Sequence, residues 1–123
     1  VKNESGFKVF LILWGLAALW SAGMHFIAGP WMAAGTVWSF AQGWQTEIGL
    51  HDLAWFGLIV YALVAGTYQV KKALALTLTL LSVFLGANHA VGLVRSHGLY
   101  LHVAGTIANA IAVIVGAFLQ ITA

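Results

Sequence analysis

Four long apolar runs constrain this chain more than any other feature of its sequence. They extend from about Phe7 to Ala28, Gly49 to Tyr68, Ala73 to Val94 and Leu99 to Ile121. A helix needs roughly 20 mostly apolar residues to cross the hydrocarbon of a bilayer, and each run has about that length. None alternates in the way a transmembrane strand must; positions 107–115 read Ile-Ala-Asn-Ala-Ile-Ala-Val-Ile-Val. Only 7% of the 123 residues are charged, against about 25% in a soluble domain. The expectation is an all-α integral membrane four-helix bundle, up-down-up-down, forming a single transmembrane domain over 1–123.

The polar opening, Val1 to Gly6, precedes a run of full span length, so the first span is expected to be retained and not cleaved as a secretory signal. The one proline, Pro30, falls between runs, which leaves the spans free of proline kinks. Lys2 and Lys8 flank the start of the first span. Lys71 and Lys72 separate the second from the third, and Arg95 alone separates the third from the fourth. The positive-inside rule then places both termini and the Lys71-Lys72 turn in the cytoplasm. The intervening segment 29–48 holds Trp31, Trp38, Trp44 and Phe40, with Glu47 its only charge. It reads as a Trp-rich interfacial loop on the outer surface or, more sharply, as a lid over an outward-facing pocket.

Several function classes are excluded. Five scattered basic residues make no nucleic-acid-binding patch. The absence of cysteine removes disulfides, thiolate metal sites, Cys-ligated iron–sulfur clusters and a Cys nucleophile. The spans contain neither a carboxylate pair nor a Gly-x-x-x-Gly motif, and no nucleotide-binding Gly loop occurs.

The candidate chemistry lies with the histidines. His97 falls in the last short turn. His25, His51, His89 and His102 come one to a span, each within a turn or two of the same outer end. A helical turn rises about 5 Å, so the four imidazoles are expected at nearly one depth. Ser-Ala-Gly-Met-His25-Phe-Ile-Ala matches Leu-Gly-Ala-Asn-His89-Ala-Val-Gly loosely, and Leu50-His51 matches Leu101-His102. These likenesses suggest two tandem helical hairpins. One turn deeper lie Ala22, Ala54, Gly86 and Gly105, small residues of the kind that bring membrane helices together.

Three roles suit this pattern. The favoured one is a b-type haem for electron transfer, its iron held by two of the four histidines on facing helices. Gly86 and Gly105 would make room for the macrocycle, with Arg95 and His97 near its propionates; a chlorophyll-type pigment held by one His is a variant. The second is a copper, zinc or iron site in a transport or enzyme role, built from His25, His51, His89 and His102 with Asp52 or Glu47. Ser21, Asn88, Thr106, Asn109 and Arg95 are the candidate supporting residues around either site, with Ser82 continuing the inward face of the third span. The third role is an accessory subunit of a larger membrane complex, or a homo-oligomer, without a cofactor of its own.

Overall fold

The computed structural model describes residues 3–123; Lys2, counted above among the positive charges, lies outside the described residues. The described chain is helical almost throughout, with no strand. Its elements are α1 (Glu4–Ile27), α2 (Gly29–Ala34), α3 (Gln42–Ala65), α4 (Tyr68–Ser96) and α5 (Tyr100–Ile121). Four of them, α1, α3, α4 and α5, are long and apolar enough to cross a membrane.

Local chemistry sets the ends. The Asn3 side chain accepts the Gly6 N–H at 3.2 Å and opens α1, as an N-cap should. Pro30 lies in the first turn of α2, where its missing N–H leaves no bond unmade. Thr67 caps α4 through the Val70 N–H at 3.3 Å. At the other end of α4, His97 takes a left-handed conformation with φ 53° and Gly98 follows at φ 108°. This left-handed pair reverses the chain into α5.

Two helix pairings are the most extensive, α1 with α3 and α4 with α5. Both are antiparallel. Gly15 faces Ile59 while Gly49 faces Phe26; Gly116 faces Thr79, Gly86 faces Asn109 and Gly92 faces His102. Contacts of Glu4 with Lys71 and of Trp14 with Ser82 set α1 parallel to α4. In this register His89 stands level with Ser21.

The apolar core occupies one end only. Phe7, Phe10 and Leu11 of α1 meet Ile59 and Ala62 of α3, Leu74, Ala75 and Leu78 of α4 and Leu119 of α5. This is the end at which the described chain begins and finishes. Trp14 Nε1–H donates to the buried Ser82 hydroxyl at 3.2 Å where this core stops. The histidines lie beyond it, at the opposite end.

Two boundaries differ from the sequence reading. The segment 29–48 is not one loop: its first part is α2, its last seven residues begin α3, and only 35–41 is irregular. Lys71 is not in a turn. It lies in the first turn of α4, 5% exposed, with Nζ 3.3 Å from Glu4 Oε1 and donating to the Gly66 carbonyl. Glu4 also pairs with Lys8 at 3.1 Å.

Candidate functional site at the histidine end

The histidines do not meet as a foursome. Among the described residues, no group of three or more His, Asp or Glu is arranged to hold a metal ion. They divide between the two helix pairs, and the two divisions differ in kind.

In the α4/α5 pair the rings touch. His89 Nδ1 lies 3.3 Å from His102 Nδ1, with ring centroids 5.4 Å apart. His102 is fully buried, and its Nε2 accepts the Val37 backbone N–H at 3.0 Å. That bond assigns the tautomer. A neutral imidazole whose Nε2 accepts carries its proton on Nδ1, so His102 Nδ1–H donates to His89 Nδ1. Both nitrogens of His102 are engaged, and as packed neither is free to ligate a metal. A metal on Nδ1 also favours a proton on Nε2 that donates to a supporting group, whereas this Nε2 accepts. Trp38 stands edge-on to both rings, with centroids 4.8 Å from His102 and 5.4 Å from His89.

The small residues around this pair accommodate the rings themselves. A Cβ on Gly105 would fall 2.5 Å from the His89 ring, and one on Gly92 would overlap the ring of His102. The sequence thus repeats His-x-x-Gly, at 89–92 and 102–105. On antiparallel helices each glycine receives the histidine of the other helix. Gly105, expected to make room for a macrocycle, is filled by His89. Gly86 faces Asn109.

The α1/α3 pair is more open. His25 Nδ1 lies 2.6 Å from Gln45 Oε1, and Gln45 is buried. A carbonyl oxygen only accepts, so Nδ1 carries the proton and Nε2 keeps its lone pair. His51 is exposed on α3. Asp52 is partly buried, and Ser21, His25 and His51 are the neighbours that act on its carboxylate. Its Oδ2 is cut off from solvent and has no hydrogen-bond partner among the described residues. It is the only such buried side-chain atom found among them. Native proteins leave few buried polar atoms unsatisfied, and each calls for an explanation.

The other expected residues are placed as follows. Thr106 donates to the His102 carbonyl at 2.7 Å and Asn109 to the Gly105 carbonyl at 2.8 Å, so both bond their own helix and not a ring. Asn88, Arg95, His97 and Glu47 are exposed. Ala22 is buried and Ala54 is exposed. Four participants were not foreseen: Gln45, Gly92, Trp38 as a ring partner, and the Val37 N–H. The repeated His-x-x-Gly is the sequence signal from which Gly92 could have been found. The segment carrying Trp38 is docked by Leu101 N–H to the Gly35 carbonyl at 3.1 Å and by Tyr100 O–H to the Trp31 carbonyl at 2.9 Å.

No family model, no curated protein and no solved structure matches this chain.

Proposed function

We propose that the chain is an integral membrane protein crossing the bilayer four times, up-down-up-down. Both termini lie in the cytoplasm with the lysine end, and the histidine end exchanges protons with the outer aqueous face at Asp52. The four long apolar helices, their antiparallel pairings and their exposed Leu, Ile, Val and Phe side chains support the span count. Lys8, Lys71 and Lys72 gather at one end and Arg95 alone at the other, which supports the orientation.

One observation carries the functional reading: Asp52 Oδ2 is enclosed without a partner, on a carboxylate that Ser21, His25 and His51 act on. An ionisable group inside a span is expensive and is kept for function by default. The neighbours have complementary parts. His51, exposed, meets water or headgroups. Asp52 holds the proton. His25, its tautomer fixed by Gln45, offers the Nε2 lone pair as the next acceptor. The apolar core beneath gives the proton no onward route through a single copy, so this is a binding site reached from outside and not a channel.

With both ring nitrogens of His102 engaged, a b-type haem or a transition-metal ion at this end would have to draw on His25, His51 or His89, and among the described residues no three His, Asp or Glu are arranged to hold a metal. The residues present therefore fit a proton better than either. The test is proton uptake by protein in liposomes after an external pH step, followed with a water-soluble pH indicator. Wild type is expected to take up one more proton per chain than Asp52→Asn. Equal uptake by both sinks the proposal, and a stoichiometric Soret band or bound metal in the purified protein replaces it with the cofactor reading.

A further inference from the structure

Asn88 is the exception on the lipid-facing surface of α4. It is exposed, and its carboxamide makes no hydrogen bond to any described residue. α4 has 29 residues and is about 43 Å long, so about 30 Å of hydrocarbon centred on it encloses Asn88. Asn88 lies near the outer limit of that layer but deeper than His51, and an unsatisfied amide facing lipid there is costly. An Asn facing lipid calls for a partner that both donates and accepts.

Its surroundings say what that partner is. Thr77, Leu81, Phe84, Asn88, Val91 and Arg95 are spaced 4, 3, 4, 3 and 4 apart. This is the 3.5-residue repeat that keeps one seam of a helix facing another helix. Five of the six are exposed and Leu81 is partly buried. Phe84 and Val91, which flank Asn88, are 68% and 50% exposed. Leu81 packs on the apolar core, but from Phe84 outward the stripe is not explained by packing inside the chain. A shallow groove lined by Ala90, Val91, Val94 and Arg95 lies along its outer end.

We infer that this stripe of α4 is a homodimer seam, on which two copies of the chain pair in the membrane through Asn88. The inference rests on the proposal that α4 spans a bilayer. Two copies inserted with one topology are related by a two-fold axis along the membrane normal, and their α4 helices run parallel. A two-fold contact brings each residue on the axis against its own counterpart. The carboxamide is self-complementary in that setting: each Nδ2–H donates to the other copy's Oδ1. A single Asn in a heptad seam also fixes register and favours one oligomeric state. Arg95 sits where the seam leaves the membrane, and its long side chain reaches the headgroups and separates the two charges.

The chain contains no cysteine, so a single-cysteine scan from Thr77 to Arg95 can be read without background. Full-length variants are oxidised in native membranes and the cross-linked fraction is measured. Cross-links are expected to peak at 84, 88 and 91 and to fall away at 83, 86 and 94. In a second arm, Asn88→Leu is expected to weaken association in liposomes about tenfold by fluorescence energy transfer, with Asn88→Gln retaining part of it. Cross-links with no 3.5-residue period overturn the seam, as does a monomer at high protein-to-lipid ratio or unchanged association of Asn88→Leu. Alkaline extraction of the same membranes separates the two proposals. A chain that stays in the membrane yet fails to cross-link defeats the dimer alone, and a chain that is extracted defeats the spanning reading beneath it.

Discussion

The two helix pairs place histidines at similar height and use them in opposite ways. In α4/α5 every nitrogen of His102 is bonded, each ring rests on the other helix's glycine, and Trp38 closes over both. In α1/α3 one imidazole is tied to Gln45, one is exposed, and one oxygen of the Asp52 carboxylate has no partner. A satisfied buried network stabilises and specifies a fold, while an unsatisfied one is kept for what it does. The difference separates scaffold from site more clearly than residue type does.

This contrast can be broken by substitutions that push the two halves in opposite directions. The largest effect is expected at His102→Leu, which strands the Val37 N–H and His89 Nδ1. Buried groups left unpaired cost about 1–3 kcal/mol each, so thermal unfolding in lipid nanodiscs should show a loss of about 3 kcal/mol. A wild-type melting curve for that variant would mean that the pair is not a lock. Next comes Gly92→Ala, whose added methyl overlaps the His102 ring; overpacking of this kind should lower stability by about 2 kcal/mol. Gly43→Ala, at a position with open space around it, serves as the control and should not.

A smaller loss is expected at the lysine end. Lys71→Met removes an ion pair whose partner Glu4 is 41% exposed and keeps Lys8. Solvent screening keeps such a loss below that of Gly92→Ala, and it should shrink further as salt is raised. The smallest effect has the opposite sign. Asp52→Asn replaces a carboxylate that has one enclosed, unpartnered oxygen with a neutral amide and should raise stability by up to about 1 kcal/mol while removing proton uptake. A variant that loses stability and uptake together would place Asp52 with the scaffold.

The long helices were legible because their apolar runs exceed what a soluble chain carries. The start of α3 was not, since 42–47 reads Gln-Gly-Trp-Gln-Thr-Glu and nothing apolar marks it as helix. It is held by bonds such as Thr46 Oγ1 to the Gln42 carbonyl and by Gly29 packed on Gln45. The sequence places Lys71 in a turn between spans because it does not display Glu4 across the bundle. The depth of the histidines followed from helix rise alone. Their division into two pairs did not, because it depends on how antiparallel helices register. The His-x-x-Gly repeat held that information for His89 and His102. For Asp52 no local pattern announces an enclosed oxygen, since its isolation comes from α1 packing against α3.

Infrared difference spectroscopy during a pH titration in lipid tests the central claim most directly. The chain has only three carboxylate side chains, and Glu4 and Glu47 are in contact with solvent, so an enclosed acid should stand apart. The account predicts a high-frequency carboxylic C=O band, as expected of an acid with one enclosed oxygen that has no hydrogen-bond partner, that appears on acidification and is missing in Asp52→Asn. A titration with no such band, or with the band unchanged in Asp52→Asn, contradicts it.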